Sequence, residues 1–152
     1  AIMNLIQEAI EVFGSSPRPE HFTDHTHCCE CAEHDETLRK ESLETLGYDH
    51  VRPGWDPICF ISPEGFQFYF PALARLALDG TRDTYFVGQL VFHLELDGKR
   101  NARYLQFNPE QRKYVVRLLH HLIETRYDEI DENLDSDALF RAIEIWEDKN
   151  VA

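Results

Sequence analysis

Seven of the fourteen residues from His21 to His34 are histidine or cysteine: His21, His25, His27, Cys28, Cys29, Cys31 and His34. Zinc takes four nitrogen or sulfur donors in a tetrahedron, and two cysteines three positions apart let one backbone turn present two thiolates. Cys28 and Cys31 have that spacing, and His25 and His34 extend it by three residues on either side. Cys28, Cys31, His34 and His25 are therefore the candidate zinc ligands. Structural zinc sites usually join two ligand pairs across a longer loop, which is how the metal contributes to folding. Here every candidate is local, except a remote Cys59 or His50. Four ligands inside ten residues cannot all face inward from one regular helix, so such a site requires an irregular loop.

Two other readings compete for the same residues. A helix starting near Asp24 would turn Cys28, Cys31 and Leu38 into the core as small hydrophobes and leave the histidines at the surface. A redox pair is the third reading, because a Cys-x-x-Cys at a helix start lowers a thiol pKa. The alternating strands and helices that usually carry such a motif are absent. The remaining thiol, Cys59, could act with His93 or His121 as a nucleophile and base, but nothing in the sequence brings them together. No nucleophile elbow, phosphate loop, dinucleotide fingerprint or zincin helix motif is present.

The second chemically dense stretch is acidic. Ten acids and two arginines lie between Glu124 and Asp148. A calcium loop starting at Asn133 fails where Ala138 stands in place of the glycine its turn needs. A solvated linker before a capped helix fits better. As a functional surface, this end would suit a basic protein partner. The whole chain carries 28 acids against 15 lysines and arginines, a formal charge of −13. That charge repels phosphate backbones and argues against nucleic-acid binding.

The elements that must position these groups read as helical. Leu5, Ile6, Ala9, Ile10 and Phe13 recur at helical spacing before Gly14. A helix of good formers is expected from Asp35 to Leu46, ending at Gly47. Ser62-Pro63-Glu64 starts another, with Pro71 inside it expected to kink or divide it. Asn108-Pro109-Glu110-Gln111 combines an N-cap, a first-turn proline and a capping-box glutamine. A last helix begins near Asp135-Ser136-Asp137. Residues 83–107 fit two patterns. Phe86, Val87, Leu90, Val91 and Leu94 suit a helix, which is the favoured reading. Phe92, Leu94 and Leu96 alternate with polar residues ahead of Asp97-Gly98, so a small β-hairpin near residues 91–107 stays open. The expected fold is mainly α, with five or six helices around one core, in a single domain over residues 1–152. Its length is ample for a core without staples. There is no apolar run of membrane-spanning length and no leader pattern, so the expectation is a cytoplasmic chain with reduced thiols and no membrane contact.

Three stretches together resemble an uncharacterised bacterial family known as a domain of unknown function. They are Cys28-Cys29-Glu30-Cys31-Ala32-Glu33-His34 with Leu38, then Phe60-Ile61-Ser62-Pro63-Glu64-Gly65-Phe66 through Tyr69-Phe70-Pro71-Ala72, and Phe107-Asn108-Pro109-Glu110-Gln111-Arg112. The resemblance covers roughly residues 20–125 and leaves the acidic end outside. It implies a small, mainly helical bacterial protein and favours a helix at residues 83–95. It supplies no activity, substrate or catalytic residue. The leading reading is a non-enzymatic cytoplasmic interaction domain with an acidic face. A zinc-binding domain using the Cys/His cluster comes second, and a thiol-dependent enzyme or redox sensor third.

Overall fold

The computed structural model describes residues 2–147, with side chains from Asn4 onward. Eight α-helices follow in chain order: α1 (Ile2–Phe13), α2 (Cys29–Lys40), α3 (Tyr48–Val51), α4 (Pro63–Asp79), α5 (Val87–Glu95), α6 (Ala102–Gln106), α7 (Pro109–Glu132) and α8 (Ser136–Trp146). Two 3₁₀ turns, Pro57–Cys59 and Gly98–Arg100, lie between them, and the described residues contain no strand. No helix among them is long and apolar enough to cross a membrane.

Helix α4 is the hub. Phe66, Tyr69, Phe70, Leu73, Ala74 and Ala77 along it are all inaccessible to solvent. Such a helix, apolar around much of its circumference, has to be surrounded by others. Helix α1 lies along it, with Phe13 stacked on Phe70 at 4.9 Å between ring centroids. Phe107 packs edge-on against Phe13, Phe70 and Trp146, which draws the end of α6 and the end of α8 into the same core. Helix α7 starts where the sequence places it. The Asn108 side chain accepts from the Gln111 N–H at 2.9 Å, and the Gln111 side chain accepts from the Asn108 N–H at 3.0 Å. Ser62 caps α4 by accepting from the Gly65 N–H at 3.0 Å. Pro71 does not divide α4, which runs unbroken from Pro63 to Asp79.

The structure corrects three expectations. The helix count is eight rather than five or six, because short α3 and α6 carry too few residues to show a period. The small hairpin near residues 91–107 is absent, and α5, a 3₁₀ turn and α6 occupy that stretch. Val87, Leu90, Val91 and Leu94 are buried at helical spacing, whereas Phe92 and Leu96 are exposed. Asp97 and Gly98 do adopt the positive φ values of a tight turn, 62° and 55°. No strand flanks them. Instead the last carbonyls of α5 are satisfied from outside, the Asn101 amide donating to His93 O at 2.8 Å and the Trp146 indole to Leu94 O at 2.8 Å. Helix α2 also differs from its expected bounds. It begins at Cys29 and ends at Lys40, well before Gly47. The Tyr69 hydroxyl donates to Leu38 O and Glu41 O, and Arg18 donates to Arg39 O at 2.9 Å. These side chains take up the carbonyls that helix ends leave unpaired, so the helix stops without a glycine.

Candidate functional site

Residues 21–28 form the irregular loop that leads into α2. Asp35, on the second turn of the helix, holds it in place. Its carboxylate accepts from the Phe22 N–H at 2.6 Å and the Thr23 N–H at 3.2 Å, and lies 2.7 Å from His21 Nδ1. Burial pushes this carboxyl up, but the hydrogen bonds from His21, Phe22 and Thr23 outweigh it and hold the group below the ordinary carboxylate range. Thr23 closes the loop from its other side by donating its hydroxyl to Cys31 O at 2.6 Å. Phe22 drives into the core beneath, against Tyr69 at 5.1 Å. A Cβ on Gly65 would stand 2.9 Å from the Phe22 ring, so the glycine makes room for that approach.

Held this way, Cys28 becomes the N-cap of α2 in an extended conformation. Its sulfur accepts from the Cys31 N–H at 3.3 Å and lies 3.2 Å from the Cys31 sulfur. The backbone N–H of Cys31, then the Cys31 thiol, then His27 bring the Cys28 thiol down to about 7. The shared hydrogen bond works in the opposite sense on Cys31, whose thiol is raised. His27 is raised by its contact with Cys28. His27 Nδ1 lies 3.8 Å from Cys31 Sγ, and the donor atoms of His27, Cys28 and Cys31 all fall within 4.8 Å of one another.

Only two of the four residues chosen from the sequence meet here. Cys28 and Cys31 converge, but His25 and His34 lie elsewhere. His25 stacks face to face on His21 with centroids 3.8 Å apart, and the two group with Asp35. His34, one turn further along the buried face of α2, is fully buried 4.5 Å from the Trp55 ring and 4.9 Å from Phe60. Its Nε2 is 3.5 Å from a Glu30 carboxylate oxygen, and neither ring nitrogen has a hydrogen bond. The reason is the helix start. With α2 beginning at Cys29, His34 is a helical residue locked into the core face. His27 stays in the loop, free to turn toward the sulfurs. Sequence spacing passed over His27, although its position next to Cys28 was a visible signal.

The structure also joins Cys59 to His93, two residues that sequence spacing left apart. Their donor atoms fall with one from Asp56 into a third group within 4.8 Å. The acidic end forms no comparable arrangement among the described residues. Asp128, Asp131, Glu132 and Asp137 are exposed. Asp135 accepts from the Tyr85 hydroxyl at 2.8 Å, and Arg126 pairs with Glu129.

No curated protein and no solved structure matches the chain. Residues 5–150 match a family of unknown function (DUF6714), so the similarity takes in the acidic end that the three stretches left outside, and the chain belongs to that family.

Proposed function

We propose that this is a small metal-binding domain that holds zinc through His27, Cys28 and Cys31, with the fourth position open to solvent. The convergence of one imidazole nitrogen and two sulfurs within 4.8 Å carries this reading. With zinc–sulfur bonds of about 2.3 Å, a tetrahedral site separates its sulfurs by about 3.8 Å. The observed 3.2 Å needs only a small opening of two side chains at the surface. The loop is already ordered by Asp35 and Thr23, so the metal would fill a prepared site rather than fold the chain. Three protein ligands and one open position are the pattern of zinc sites that take a substrate or a partner's ligand. Zinc content of untagged protein tests this. Cys28→Ser/Cys31→Ser should lower it by one equivalent per chain, and an unchanged content would overturn the reading.

A second reading has its own support. Cys28 caps a helix with a depressed thiol and Cys31 stands behind it, which is the layout of an attacking and a resolving cysteine in thiol–disulfide exchange. Alkylation of the metal-free protein should then follow a midpoint near 7 at Cys28, the value its thiol is brought to. A Cys28 reactivity that rises only with that of Cys59 would exclude it. The interaction reading, with its basic partner, draws support from charge density alone.

A further inference from the structure

We propose that Asp56, Cys59 and His93 form a second transition-metal site of the zinc class, separate from the loop site at His27. The site joins two parts of the chain, with Asp56 capping a 3₁₀ turn, Cys59 ending that turn and His93 on α5. Their carboxylate, thiol and imidazole donors lie within 4.8 Å of one another. That is an oxygen, sulfur and nitrogen set suited to zinc. It closes a loop of more than thirty residues, unlike the wholly local site at His27.

The donors are prepared for the task. The His93 side chain is 1% exposed and that of Asp56 9%. Asp56 is oriented from two sides. One oxygen accepts from the Ile58 N–H at 2.9 Å; the other accepts from the Gln89 amide at 2.9 Å and lies 3.1 Å from His93 Nε2. Gln89 is fixed in turn by donating to Val51 O at 2.7 Å. Carboxylate ligands of metals are typically held by such outer hydrogen bonds.

An Asp–His hydrogen bond that only pins α5 to the loop would explain this contact but not its surroundings. Two buried polar atoms at the site, His93 Nδ1 and Gln89 Oε1, have no hydrogen-bond partner. Orphaned polar atoms in a protein interior call for an explanation, and a bound ion that reorganises them is one. Charge is also consistent. A dication with the Asp56 carboxylate and a Cys59 thiolate is neutral. The Arg103 guanidinium, which donates to Ile58 O at 3.0 Å and lies over the Phe66 ring, stands in the field of Cys59, Asp56 and Asp97. A metal bound there would hold Cys59 as a thiolate, since a coordinating thiol is deprotonated outright.

Cobalt(II) titration tests the proposal, because cobalt held by a thiolate absorbs through sulfur-to-metal charge transfer. In the Cys28→Ser/Cys31→Ser chain, one equivalent of cobalt should bind and give that absorption. Adding Cys59→Ser, at an exposed position, should abolish both. No absorption in the first chain, or absorption that survives in the second, would overturn the proposal. If the double variant does not fold, Cys59→Ser alone decides. It should bind one equivalent less than the unaltered chain, and an equal uptake overturns the site. The outcome is independent of the loop site, since Cys59→Ser leaves His27, Cys28 and Cys31 in place.

Discussion

The loop at residues 21–35 and the acidic end at residues 128–137 are both crowded with ionisable groups, yet they are built in opposite ways. In the loop, one buried carboxylate collects two backbone N–H groups and an imidazole, and this turns two sulfurs and His27 toward a common point. At the acidic end the backbone is held by Arg126, which bridges to Ala77 O and Gly80 O from the only non-helical residue inside α7. Most of the acids there project into water. Density of reactive residues therefore does not make a site. A site needs a backbone that bends, anchored by groups that have left the solvent.

Substitutions should separate the two regions by the size of their effects. Phe22→Ala removes a fully buried ring under the loop and should cost about 3–5 kcal/mol of stability, measured by denaturant unfolding. A loss under 1 kcal/mol would mean that the loop is not anchored through the core. Asp35→Asn should cost about 1–3 kcal/mol by weakening three hydrogen bonds at once. Its pH dependence has a definite sign. The Asp35 carboxyl is lower in the folded chain than in the unfolded one, so its contribution is complete above the ordinary carboxylate range. It is lost as pH falls through the folded value. The acid limb of the stability curve should flatten in Asp35→Asn, and an unaltered limb would show that the carboxylate does not bind the loop as described.

At the acidic end the largest effect should come from backbone conformation rather than charge. Leu134 has φ of 62° and is 88% exposed. Replacing it with glycine should stabilise the chain by about 1 kcal/mol, since a left-handed conformation strains any residue with a Cβ. Thermal unfolding reads this directly, and a destabilised Leu134→Gly would contradict it. Charge reversals at Asp128 or Asp131 should stay within about 0.5 kcal/mol, as is usual for exposed positions. A larger loss would show that the acidic end is tied to the fold more tightly than its exposure indicates.

Much of the helical framework was legible because its signals are local. The caps at Ser62 and Asn108 act within four residues, and the apolar stripes of α1, α4, α7 and α8 report burial through their period. Membership of a family of unknown function was also visible in three short stretches of sequence. The end of α2 was not, because Arg18 and Tyr69 that cap it stand 21 and 31 residues from the carbonyls they reach. The Asp97-Gly98 turn misled for a related reason. Its positive φ values suit a hairpin, but whether strands or helices flank it was decided by Asn101 and Trp146.

The candidate site divides along the same line. The sequence showed that Cys28 and Cys31 have a spacing at which one backbone turn can present two thiolates. It also located the dense Cys/His segment and the acidic end. Only the tertiary structure decided that His27 and not His34 or His25 would join the sulfurs, and that Cys59 would meet His93 and Asp56. Those choices depend on where α2 begins and on which helix faces are buried. Both are set by contacts such as Phe22 on Tyr69 and Asp35 on the loop backbone, which spacing along the chain does not encode.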